Sequence, residues 1–441
     1  MHVTRTLLDA VARGELPRQF LDEIEAEHRT ALCPVCEVEI LAHEAALGRP
    51  GAWSGAGGRD QVERLRRRLG LTEVELRAHE EKARRWVRKI VRLAPGKRRG
   101  RVRGAYTQYR GPLFGLLLLE EARRRIPAEP AEALSLAEAV LVSCERGALY
   151  RPDPESQAPA LAVRGNAQRA LGRLREAEED LAEARRLLDS PGVTDPATPA
   201  ELYSYLGSLR RDQGRFQEAG DCLERAARIY DLLGDREQAA RVLLTLSIVH
   251  SRRHELDAAV GAVEQALELL TPDAPVWLRA YAQFNRAWYF HGRGDIDSAE
   301  AELAAQAGLL AAAGDEVVQH VVWLRARIAW SRGDLRSAHR LFTEARAGLL
   351  TLGRTLDCGL VALELALVYL VQGRTPRVKK LAFEALRVFA AQKVEREVRA
   401  ALDLLEAAAR RDALTRELFE RAIAALERAR HARPAGGGEP A

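Results

Sequence analysis

Two thiols three positions apart, Cys33 and Cys36, are the residues of this 441-residue sequence whose spacing best suits chemistry. Cys-x2-Cys lets two thiolates grip one Zn²⁺, because the chain can turn back on itself over two residues. His28, five positions before Cys33, would sit on the preceding helix and offer a third ligand. A helix starting at Cys36 would favour the thiolate form. His43, on the helix that follows, is a substitute ligand of lower merit. The plain alternative to zinc is two unliganded thiols, one buried and one exposed. A redox pair would need a surrounding βαβ pattern, which is missing. Cys144, Cys222 and Cys358 fall at helical packing positions and read as small core residues.

A second chemistry is electrostatic. From Arg59 to Arg103 there are 17 Lys/Arg against 6 Asp/Glu, whereas the whole chain carries only +5. Arg84, Arg85, Arg88, Lys97, Arg98, Arg99, Arg101 and Arg103 are its densest part and could meet the phosphates of a nucleic acid. The blander reading is a solvated helix face followed by a basic linker. Catalytic motifs are absent: GAWSGAGG lacks the Lys of a phosphate loop, and His79-Glu80 and His254-Glu255 lack a second His four positions after the first. A non-enzyme is expected.

These groups need elements to hold them, and the composition points to helices. Ala, Leu, Arg and Glu dominate, aromatics are 5%, and β-branched runs are scarce. A pattern then recurs about every 40 residues: GRLREAEEDLAEA from Gly172, GRFQEAGDCLERA from Gly214, HELDAAVGAVEQA from His254, GDIDSAEAELAAQ from Gly294, GDLRSAHRLFTEA from Gly333 and GRTPRVKKLAFEA from Gly373. Small residues stand in phase at Ala177, Ala219, Ala259, Ala299 and Ala338, with Val378 in the last copy. Gly closes the first helix in a left-handed turn. The small residue marks a close crossing of two antiparallel helices, and Leu181, Leu223, Val263, Leu303 and Phe342 are expected to pack onto the next hairpin. No hairpin buries its apolar stripe alone, so the copies must stack.

This spacing of Gly and small and large apolar residues resembles the tetratricopeptide repeat (TPR) family over about residues 117–390. The family's usual unit is shorter, so lengthened helices or lengthened loops are expected here. The resemblance implies an all-α, right-handed superhelical solenoid of helix pairs whose first helices line a concave groove for a protein or peptide partner. Carried onto this sequence, the groove positions are Asn166, Arg169 and Arg211 in the first units. Tyr281, Phe284, Trp288 and His291 follow in the fourth, and His320, Trp323, Arg327 and Trp330 in the fifth. Trp and Arg dominate binding hot spots, which singles out Tyr281, Phe284, Trp288, Trp323, Arg327 and Trp330. Asn166, Arg169 and Arg211 could hold a carboxylate in a set similar to the clamp of chaperone-binding TPRs, although Ala162 stands where that clamp has a basic residue. In the sixth unit the same positions are apolar (Leu360, Leu363, Leu367, Leu370), and either the C-terminal helices cover them or they form a docking surface.

The arrangement His28-x4-Cys33-x2-Cys36 resembles the zinc-containing anti-sigma factor family, with a His-to-Cys gap one residue longer. That resemblance implies a fourth ligand about 25 residues upstream of the motif His, and His2 stands 26 positions before His28. It also implies a sigma factor or another transcriptional regulator as partner. The resulting layout is a helical Cys/His module at 1–47, a Gly-rich linker at 48–60, a basic helical region and linker at 61–112 and a degenerate repeat at 113–155. TPR-like repeats at 156–394, capping helices at 395–430 and a tail at 431–441 follow. An odd cysteine count, an N-terminus without a long apolar core and no apolar run long enough to span a bilayer point to a cytoplasmic, bacterial-style adaptor.

Overall fold

The computed structural model describes residues 72–105, 112–144, 154–188, 197–390, 402, 405–406 and 413–430. The expectations for His2, His28, Cys33, Cys36, the Gly-rich linker and the tail fall outside these residues. Eighteen helices are delimited among the described residues, which contain no strand.

The chain divides into two compact units, the first reaching Val242 and the second starting at Leu243. The first holds α1 (Glu73–Val91), α2 (Pro95–Arg103), α3 (Pro112–Arg125), α4 (Pro130–Cys144), α5 (Pro154–Ala170), α6 (Leu174–Leu188), α7 (Ala197–Asp212) and α8 (Phe216–Leu232). Helix α9 (Arg236–Arg252) carries the boundary. The second holds α10 (Leu256–Leu269), α11 (Val276–Gly292), α12 (Ile296–Ala305), α13 (Ala307–Ala312), α14 (Asp315–Ser331), α15 (Leu335–Thr351), α16 (Thr355–Val371), α17 (Thr375–Ala390) and α18 (Arg416–Arg430).

The repeat length has a simple cause. Helices α14, α15 and α16 are each 17 residues long and are separated by three-residue turns, so two helices and two turns make 40 residues. Lengthened helices, not lengthened loops, set that period. Both kinds of turn are closed by a left-handed Gly: Gly214, Gly294, Gly333 and Gly373 within pairs, Gly234, Gly314 and Gly353 between them. At Gly333 the amide donates to the Trp330 carbonyl at 3.0 Å and the next amide, of Asp334, donates to Ala329 at 2.9 Å. These two bonds satisfy carbonyls that a helix end would otherwise leave bare. Asp334 then accepts from the Ser337 amide at 3.1 Å and caps the helix that follows.

Within a pair the helices meet through a notch. A Cβ on Gly207 of α7 would lie 2.6 Å from Leu223 Cγ and 3.2 Å from the Ala219 carbonyl oxygen on α8; Gly165 of α5 meets Leu181 and Ala177 of α6 in the same way. The sequence reading set Leu181 and Leu223 against the following hairpin. The structure seats them on Gly165 and Gly207 of their own pair, where the missing side chain lets the Leu approach closely. Ser247, Ala287, Ala326 and Ala366 hold the equivalent place in later repeats, and all are buried.

In the first unit, first helices α3, α5 and α7 stack in order, each with its second helix (α4, α6, α8) alongside. Ala133 of α4 is fully buried in that series. Helix α1 opens with a capping box between Thr72 and Glu75 and packs on α3. The run expected to be a basic linker is a helix, α2, which packs on α4. In the second unit α10, α11, α12, α14, α15, α16 and α17 pack in chain order. Helix α18 departs from this succession and lies on α16. No helix among the described residues is long and apolar enough to cross a membrane.

Candidate partner-binding face

In the second unit the first helices α11, α14 and α16 place their i, i+4 and i+7 side chains along one face. On α11 these are Phe284, Trp288 and His291, with Tyr281 one turn earlier, and all are half-buried. On α14 they are Trp323, Arg327 and Trp330. The rings form a connected set: Phe284 lies 5.8 Å from Trp288, and Trp288 meets Trp323 edge-on at 5.7 Å. His320 bridges Phe284 at 6.1 Å and Trp323 at 6.0 Å. Edge and tilted contacts of this kind put positive ring rims against negative ring faces.

Arg327 is the hub of the cluster. Its guanidinium carbon lies 4.5 Å from the Trp288 ring centre and 5.2 Å from that of Trp323. The same group donates to the carboxylates of Glu364 on α16 and Glu427 on α18. Burial works against the Arg327 charge, but the two carboxylates outweigh it and hold its pKa above the ordinary value. Glu364 responds in the opposite way: burial pushes its carboxyl up, and the Arg327 charge only partly offsets this. Its other oxygen accepts from the Trp323 indole N–H. Trp323 itself is 0% exposed, so it anchors the cluster from inside. Trp288 and Trp330 keep part of their surface.

Beside Arg327 lies a cavity of about 240 Å³, walled by Trp330, Phe342, Leu367, His291, Ile423 and the acids Glu364, Glu420 and Glu427. Burial, followed by the Arg327 charge, lowers the His291 pKa and keeps the imidazole neutral. Leu360, Leu363 and Leu367 are buried in one core with Phe419, Ala422 and Leu426 of α18, so this apolar row is covered by the chain itself.

The three polar residues of the first unit also converge. Asn166 accepts from Arg169 at 2.8 Å, and Arg169 donates to Asp212 at 2.6 Å. Arg211 donates to the other Asp212 oxygen at 2.8 Å. The carboxylate that this trio holds is therefore the chain's own. Asp212 has no exposed side-chain surface, and Arg169 is buried beside it.

Of the eight basic residues, Arg84, Arg85, Arg88, Lys97, Arg99, Arg101 and Arg103 are exposed on α1 and α2. Arg98 is not part of that surface. At 3% exposure it turns inward, donating to the Ile90 and Val91 carbonyls at the end of α1 and to Glu132. The Ile90 carbonyl also accepts from the Leu93 amide at 3.1 Å, so the guanidinium adds to the backbone closure of α1. The described residues contain no group of His, Cys, Asp and Glu fit to hold a metal, and the four residues expected to bind zinc lie outside them.

Residues 198–271 match the family model of the tetratricopeptide repeat. That segment of the chain is similar to TPR repeats. The fold of the chain is similar to that of two solved structures. One is a Rap protein complexed with competence and sporulation factor, at 15% identity and TM-score 0.54, covering 75% of this chain and all of that one. The other is the apo form of RapI, at 10% identity and TM-score 0.50, covering 71% of this chain and 97% of that one. No curated protein sequence matches the chain.

Sequence reasoning found the TPR repeat and put the aromatic residues and Arg327 on one helix face, but it read the fully buried Trp323 as a groove residue and missed Glu364, Glu427 and Asp212. Glu364 did leave a trace, as the one charged residue in LVALELALVYLV, where a lone carboxylate needs a buried partner. Glu427 left none, since its partner is 100 residues away in sequence.

Proposed function

We propose that this chain is a non-catalytic scaffold whose first-helix face in the second unit takes a segment of a protein partner, and that the contact is regulatory. One observation supports the reading above the others: Arg327 stacked on Trp288, with Phe284 and Trp330 half-exposed on the same face. Large rigid rings and a paired guanidinium carry much binding energy for little lost side-chain freedom. The fold similarity to a Rap protein crystallised in complex with competence and sporulation factor supports a binding role for such a fold. In this reading the 1–47 module is the regulatory arm. His2, His28, Cys33 and Cys36 hold zinc there, a sigma factor or another regulator is its target, and the cytoplasm is its setting.

The test is co-purification with the tagged chain, followed by identification of the bound protein and titration against variants. Phe284→Ala and Trp288→Ala should each weaken the complex at least tenfold, while Arg340→Ala on the exposed face of α15 leaves it unchanged. Equal loss from all three, or from none, would defeat the proposal. A second reading, nucleic-acid binding, is favoured by the nine exposed cations of α1 and α2, Arg77 and Lys89 joining the seven above. It requires affinity to fall steeply with added salt, about one decade per decade of salt for each phosphate contacted. A groove-bound protein segment would show only a shallow dependence.

A further inference from the structure

Helix α18 already occupies the face just described. Phe419, Ala422, Ile423 and Leu426 recur at helical spacing and sink into the core formed by α14 and α16. Its polar anchors reach two first helices. Glu427 meets Arg327 on α14, the Glu427 carbonyl accepts from Arg252 on α9 at 2.6 Å, and the Arg416 guanidinium lies 5.9 Å from the Trp330 ring centre. This face therefore accepts an amphipathic helix, and the chemistry of that helix is visible.

The fit of α18 is incomplete at one place. The cavity of about 240 Å³ has Ile423, Ala424, Glu420 and Glu427 on its α18 side. The pocket is open to solvent and Ala424 on its rim is exposed, so a larger side chain at that place would cover the apolar wall of Trp330, Phe342 and Leu367. Ala424 is the small side chain on that wall. Glu427 also brings a second carboxylate to the guanidinium that Glu364 already uses, and its negative charge adds to the burial that raises the Glu364 pKa. The open pocket is where α18 makes fewer contacts than the face allows, whereas Glu427 strengthens its hold on Arg327.

We propose that α18 is a replaceable occupant, and that the partner supplies an amphipathic helix of the same apolar spacing with a large side chain where α18 has Ala424. This rests on the scaffold reading and gives the partner segment its chemical class. The larger side chain would cover the pocket that α18 leaves open, so the incoming helix gains where α18 makes fewest contacts.

The probe is a fluorescent peptide of residues 413–430 carrying Ala424→Phe, titrated into the full-length chain and followed by anisotropy. It should bind the full-length Phe419→Asp variant, whose own helix is undocked, at least tenfold more tightly than wild type, and adding Arg327→Glu should abolish that binding. A Phe419→Asp chain that keeps its helical circular dichroism and cooperative unfolding yet binds no peptide would overturn the proposal. Should that variant not fold, hydrogen exchange on the wild-type chain decides. Amides of 416–430 should exchange at least tenfold faster than those of α16, and faster still with saturating peptide. Equal protection of α18 and α16 would make α18 permanent core and end the proposal. The scaffold reading would survive that result if an identified partner still depended on Phe284 and Trp288.

Discussion

Arg169 on α5 and Asp212 on α7 form an ion pair at 2.6 Å with almost no solvent-exposed side-chain surface on either residue. It ties two successive first helices together across 43 residues of sequence. A trio whose residue types suit an external carboxylate is thereby satisfied internally. Asp212→Ala would leave the Arg169 charge buried without its main partner, which costs about 3–5 kcal/mol for a broken buried pair. Urea unfolding of the first unit measures it. A loss below about 1 kcal/mol would mean that water reaches the pair.

The notch at Gly207 predicts opposite signs for one kind of substitution. Gly207→Ala drives a Cβ to 2.6 Å from Leu223 Cγ, with the Ala219 carbonyl also close, and overpacking of this kind costs about 1–3 kcal/mol. Gly261→Ala, inside α10 with nothing within 4 Å, should instead stabilise by about 0.8–1 kcal/mol through helix propensity. Parallel thermal melts of the two variants check both signs at once.

His254 holds a left-handed conformation, φ 62°, at the place where the other repeats have Gly. An L side chain there costs about 1–2 kcal/mol, and Gly returns about 0.5–1 kcal/mol of that through its greater freedom when unfolded. His254→Gly should therefore stabilise the chain by about 0.5–1 kcal/mol, a rise of about 1–4 °C in melting temperature for a unit of this size. A lower melting temperature would show that His254 makes a compensating contact.

Acidification should weaken the second unit through His291. Its folded pKa lies below 6.5, by burial and then by the Arg327 charge, so between that lower value and 6.5 the folded state binds fewer protons than the unfolded state. Stability therefore rises with pH across that window; the contribution is whole above 6.5 and lost as pH falls through the folded pKa. His291→Gln should flatten this slope. Identical pH profiles for variant and wild type would contradict the burial of the imidazole.

For the 1–47 module the expected outcome is one zinc per chain by elemental analysis, absent from Cys33→Ser/Cys36→Ser. Metal-free wild-type protein with the same unfolding profile as the loaded protein would remove zinc from the account, because a structural ion contributes folding energy directly.

Local chemistry accounts for what the residues reveal unaided. The left-handed turn needs Gly, the close crossing needs a small residue, and an apolar stripe at helical spacing needs a neighbour, so the TPR repeat and its helix pairs can be read along the chain. The aromatic row on α11 and α14 follows from the same periodicity. Long-range pairing leaves no such mark. A guanidinium at one position states only that a carboxylate must be near, and several dozen are available. The choice of Asp212 for Arg169, of Glu132 for Arg98 and of Glu364 and Glu427 for Arg327 was made by the packing of helices far apart in sequence. The tertiary structure alone also decided that Trp323 faces inward and that α18 lies on α16, since burial depends on what the stacked repeats bring to each face and not on the residue that waits there.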